Sequence, residues 1–209
     1  RFKSDLEIVD FSSSSAFEDR ENVYFYTNAN LLPAVNLTLG LSYDSFNNGE
    51  DQPRVDKINP KIGVQWNILN NLRLRAAWFE TSKSHLAIQQ TIEPTQVAGF
   101  NQFFDDINGT RTKRMGVGLD YNLSATFFGG AEVTKRILHV PMSGLQKQNE
   151  QQYRAYLYWL PHPRWSVRGE FQFERFKRSS KNVTSLLDTD PIEIQTLTAP
   201  LNIEYFHPS

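Results

Sequence analysis

Chemistry in this 209-residue chain must come from charge and aromatic rings, because it has no cysteine and only four histidines. His85, His139, His162 and His207 do not pair at the short spacings of zinc sites, so no metal is expected. There is no nucleophile elbow, phosphate loop or zincin motif, and neither an enzyme nor a cofactor is expected. A hydrolytic site would have to be built around His139, which has charged neighbours near a strand end. The stronger candidates are charges at alternate positions of long segments: Arg73, Arg75, Arg114, Asp120, Glu132, Arg136, Arg154, Arg168, Glu170, Glu174 and Glu204. A wall of such groups tunes selectivity when it faces water in a passage. Mutual neutralisation across neighbouring strands is the simpler expectation for the same residues. A second set lies between Thr81 and Thr110: Phe100, Phe103 and Phe104, whose rings can stack on a ligand, and Asp105 with Asp106, which can attract a cation. Their plainer reading has the rings anchoring the segment and the aspartates solvated.

The elements that must position these groups are strands. Val35, Leu37, Leu39, Leu41 and Tyr43 share one parity, and Asn36, Thr38, Gly40, Ser42 and Asp44 share the other. Successive strand side chains point to opposite faces, so the segment has an oily side and a wet side. The pattern returns over 61–68, 72–79, 114–123 and 167–174, and more weakly over 22–30, 127–137, 153–160 and 197–205. Residues 2–11 fit it poorly. About ten strands result, many of about 10–13 residues, where globular strands run about 5–6. Short connections hold turn formers, as at Leu32-Pro33-Ala34 and Leu69-Asn70-Asn71; long polar ones fall at 12–19, 47–56, 81–110, 143–150 and 179–190. Tight turns at one end and long loops at the other mark an up-and-down transmembrane barrel. Gly116 and Gly118, on the polar parity, relieve crowding inside it.

Composition narrows the classes. With 22 basic and 23 acidic residues the net charge is −1, which excludes a nucleic-acid partner recruited by bulk charge. The longest apolar runs are far shorter than the ~20 residues of a membrane helix. Aromatic residues nevertheless reach 13%, and Tyr43, Trp66, Trp78, Tyr121, Trp159 and Trp165 sit near strand ends on the oily parity. Such rings belong at a lipid–water boundary, which favours a barrel over a soluble sandwich.

The run INPKIGVQWNILNNLRLRAAWFET, from Ile58 to Thr81, resembles a strand–turn–strand hairpin of TonB-dependent outer-membrane receptors. The run IEPTQVAGFNQFFDD, from Ile92 to Asp106, is similar to receptor-like barrels attached to tetratricopeptide-repeat proteins, as are AYLYWLPHPRWSV and PLNIEYFHPS. No plug domain, TonB box or tetratricopeptide helix is visible, so energised import does not carry over. The resemblance implies a porin-like or receptor-like barrel of the Gram-negative outer membrane, connected with transport.

The resulting expectation is an all-β, antiparallel up-and-down transmembrane β-barrel. About ten strands of a larger ring form one domain over residues 1–209, an interior or C-terminal piece of a longer chain. Its partners would be outer-membrane lipid, an unknown solute, and a tetratricopeptide-repeat region or other subunits of an assembly, with no nucleic acid. Its job would be a receptor or passage for a solute. The alternative is a non-conducting barrel that anchors a periplasmic repeat domain or surface assembly.

Overall fold

The computed structural model describes residues 2–11, 20–46, 55–84, 93–103, 106–141, 145–179 and 191–207. These form strands β1 (Phe2–Phe11), β2 (Arg20–Leu32), β3 (Val35–Phe46), β4 (Val55–Leu69), β5 (Leu72–Ser82), β6 (Gln96–Val97), β7 (Phe100–Asn101), β8 (Arg111–Ser124), β9 (Phe127–Pro141), β10 (Leu145–His162), β11 (Trp165–Arg178), β12 (Glu193–Thr198) and β13 (Leu201–Tyr205). No helix occurs among the described residues. One antiparallel sheet runs in the order β1-β2-β3-β4-β5-β8-β9-β10-β11-β12, with β13 also on β11, while β6 and β7 form a separate small hairpin. β12 and β13 continue one register along β11, from Gln172↔Thr198 to Gly169↔Leu201, and amount to one strand interrupted at Ala199-Pro200. The sheet therefore has ten strand positions in up-and-down order. Among the described residues its two edges, β1 and β12–β13, do not pair with each other, so the sheet is open rather than a closed ring.

Two-residue turns at Pro33-Ala34, Asn70-Asn71, Ala125-Thr126 and Pro163-Arg164 join strands at one end. The strand ends that the expected long connections would join lie at the other, with differences. The 143–150 loop is mostly strand, because the β9–β10 ladder continues up to Leu145↔Pro141. Polar residues there do not end a strand whose backbone has a partner. The poor fit of residues 2–11 reflects side-chain pattern alone, since they pair residue by residue with β2. The 81–110 segment opens as strand at Thr81 and Ser82 and later forms the β6–β7 hairpin. The 12–19 stretch, and most of the expected loops at 47–56 and 179–190, lie outside the described residues.

In-register pairing aligns side chains of one parity into rows. One row is Ala76, Val117, Val133, Tyr153, Phe173 and Leu197; the neighbouring row of opposite parity is Arg75, Gly118, Glu132, Arg154, Gln172 and Thr198. The apolar face is open: Leu41, Ile62, Val117, Leu119 and Phe171 are all exposed. The buried cluster of Tyr24, Tyr26, Ala77, Phe79, Val97, Ala98 and Phe100 lies instead on the polar face, beneath residues 93–103.

Candidate functional site

Residues 93–103 form a strap across the polar face. Its β6–β7 hairpin turns through Ala98 and Gly99, at φ of 48° and 85°. The second value is backbone that glycine adopts freely. The wall is hollowed to receive it. A Cβ on Gly63 of β4 would lie 2.6 Å from the Ala98 Cβ, and one on Gly116 of β8 would lie 2.6 Å from the Phe100 ring. Glycine at these two positions is what lets the strap lie against the sheet. Val97 and Phe100 become fully buried as a result.

Polar contacts fix the strap at three places. At its start, Glu93 pairs with Lys61 at 3.1 Å and accepts hydrogen bonds from Tyr26 Oη at 2.8 Å and Asn22 Nδ2 at 3.2 Å. Both side chains of the ion pair are buried, at 1% and 3% exposure. Asp44 joins from below, accepting from Asn22 and Asn59 at 2.6 Å each. Buried charges persist only when paired and hydrogen-bonded in this way. In the middle, Arg75 donates to Gly99 O at 3.3 Å while holding Asp120 at 2.8 Å and Glu132 at 3.2 Å. Farther along, Arg114 donates to Asn101 O at 3.0 Å.

Arg114 and Arg136 are direct cross-strand partners, an arrangement that repels. The Phe103 ring relieves it by standing 4.5 Å from one guanidinium and 4.8 Å from the other. Asp106 and Glu150 complete the neutralisation, each 2.7 Å from Arg136. Asp106 is thus an ion-pair partner, not the solvated acid expected from sequence. Phe100 and Phe103 do anchor the segment. Phe104 and Asp105 lie outside the described residues, as does His85.

Between the strap and β9–β11 is a cavity of about 710 Å³. On one side stand Gln96, Asn101 and Phe100; on the other Glu132, Gln152, Arg154, Tyr156 and Glu170. Arg154 holds Glu170 at 2.6 Å and Glu132 at 3.6 Å, and Tyr156 donates its hydroxyl to Asp120. Phe128 and Tyr158 stack at 4.6 Å with planes 6° apart. This wall presents preset donors and acceptors to the cavity, with its cations and carboxylates largely paired.

Of the eleven charges singled out by alternation, Arg75, Asp120, Glu132, Arg154 and Glu170 form one network, while Arg114 and Arg136 form a second beside it. Arg73 and Arg168 are exposed. Glu174 accepts from Gln152 and Gln172, and Glu204 from Asn202, rather than from arginines. Sequence reasoning missed Lys61, Glu93, Asn22, Asp44 and Asn59. A lysine at the wet parity of a strand looks solvated until its cover is known. Among the described residues no group of three or more histidines and acids is placed to hold a metal. Compared with known proteins, the chain matches no family model and no curated sequence.

Proposed function

We propose that this chain is the wall of an outer-membrane β-barrel serving as a receptor or passage for a solute, with the strap narrowing the interior. The observation that carries the reading is the inversion of its faces: large apolar side chains point outward uncovered, while ion pairs and a lysine are buried. Water alone does not favour that arrangement; lipid outside and a polar interior do. On β8 the outward positions from Met115 to Leu123 are Met, Val, Leu, Tyr and Leu, and nine tilted residues match the hydrocarbon core. Tyr121, Trp159, Trp165 and Tyr205 gather toward the tight-turn end, where an aromatic girdle belongs. The sheet edges must then meet further strands, because lipid cannot satisfy them.

The strap favours a second reading. Buried and ion-paired, it occupies the polar face of β2–β5 and β8 as a resident plug would, which suits a non-conducting anchor. Planar-bilayer recordings on the full-length protein, purified from the outer membrane of a Gram-negative host, decide between them. A passage gives discrete conductance steps, and Arg73→Glu shifts its ion preference toward cations. A folded, membrane-inserted and silent barrel supports the anchor. Recovery of the protein in the water-soluble fraction, folded and without lipid, overturns both.

A further inference from the structure

The outward parity changes character toward the long-loop end. The last wholly apolar row contains Ala76, Val117, Val133 and Tyr153. The next is Trp78, Met115, Lys135 and Gln151, and two rows further stand Arg111, His139 and Lys147, neighbours across β8, β9 and β10. Lys113 in the row between is engaged by Glu80 at 2.9 Å. Arg111, Lys135 and Lys147 form no ion pair among the described residues. His139 stands above the apolar band, between Arg111 and Lys147. Directly beneath this basic collar the apolar face is dented. A groove of about 660 Å³ runs among Ile62, Ala76, Trp78, Met115 and Val117, and Lys135 stands on its lining. The small side chain of Ala76 lets it reach down to the backbone of the sheet.

We infer that the collar and groove form a docking site for a phosphate-bearing acyl lipid, its chain in the groove and its phosphate on Arg111, Lys135 and Lys147. Charge complementarity picks the occupant. An acyl chain needs an apolar trough and gains from filling it, while cations at the hydrocarbon boundary attract anionic head groups. The inference rests on the membrane reading, since only then does this face meet lipid. A water-soluble anion would use the collar and leave the groove empty; a neutral lipid would do the reverse.

The test is native mass spectrometry of the full-length protein folded in neutral detergent, titrated with diphosphoryl lipid A, its dephosphorylated form, and inorganic phosphate. Bound phosphorylated lipid is expected, with the dephosphorylated form and inorganic phosphate binding far more weakly. A triple variant, Arg111→Ala with Lys135→Ala and Lys147→Ala, should lose about a hundredfold in affinity, since each cation near an anionic head group contributes roughly fivefold. Ala76→Trp, filling the groove, should weaken the lipid and leave any phosphate binding unchanged. Equal affinity of the triple variant, equal binding of the dephosphorylated lipid, or phosphate binding as tight as lipid overturns the site. A heat-modifiable folded band on gels reads the barrel separately. Its presence without lipid selectivity defeats the inference and spares the barrel, whereas a protein that folds fully without detergent defeats both.

Discussion

Lys61 and Ile62 are neighbours on β4, yet the lysine is 3% exposed and the isoleucine 45%. The contrast extends across the sheet. On one face the charged row of Arg75, Glu132 and Arg154 lies half-covered or buried; on the other, leucines, valines and tryptophans lie open. Periodicity makes both faces, but it does not say which will be covered. Cover comes from a separate segment, and residues 93–103 chose the polar side because glycines leave room there and because Glu93 has a lysine to meet. A soluble sandwich would have covered the leucines.

The sharpest way to break this contrast is to remove the buried cation. Lys61→Ala removes the buried cation that Glu93, at the start of the strap, meets at 3.1 Å. Breaking a buried pair from one side costs about 3–5 kcal/mol. Urea unfolding in detergent micelles should register that loss, and Lys61→Met with Glu93→Gln should recover most of it. A loss under about 1 kcal/mol, typical of exposed pairs, would show that water reaches the site.

The opposite face is tested by charge insertion. Leu39→Arg, outward on β3, should cost roughly 2–4 kcal/mol when folding is followed in lipid vesicles, while Thr38→Arg on the polar parity costs far less. Equal costs at the two positions would contradict the assignment of lipid to the leucine side. Next in size is crowding. Gly116→Val drives a side chain into Phe100, and overpacking of this kind costs about 1–3 kcal/mol. Gly169→Val faces outward, where the nearest atom to a new Cβ is 3.9 Å away, and should be near neutral. Protease cleavage within the strap is the direct readout: it should rise for the first variant and stay unchanged for the second.

How much of this was legible depends on the range of the interactions involved. Strand identity, parity and the tight turns are local, and alternation over 35–44 or 114–123 carries them without further information. Pairing within the Arg154–Glu170 network is one step longer, because it needs the register, which the two-residue turn at Pro163-Arg164 sets only together with a one-residue shift between Trp159 and His162. The strap's seat was hidden. Glu93 meets Asn22, 71 residues away, and nothing in the spacing of either announces the other. Gly63, Gly116 and Lys61 did carry a signal: small or charged residues stand on the wet parity of strands whose neighbours are bulky. The signal marks a place that something enters, and leaves open what enters it.

The smallest expected effect tests the far end of the sheet, where no strap lies. Glu170 donates its backbone N–H to Pro200 O at 3.0 Å, and in an antiparallel pair the return bond would come from residue 200. Proline has no N–H, so that bond is missing and β12 parts from β13. Pro200→Ala restores the donor, a gain of about 0.5–1.5 kcal/mol, against a loss of about 0.4–1 kcal/mol from the freer unfolded chain. The net shift in the unfolding midpoint should therefore be slight, yet amide exchange at Thr198 and Asn202, whose N–H groups face β11 as that of residue 200 would, should slow as the two strands fuse. Unchanged exchange would mean that the gap at Pro200 is held open by packing rather than by the missing donor.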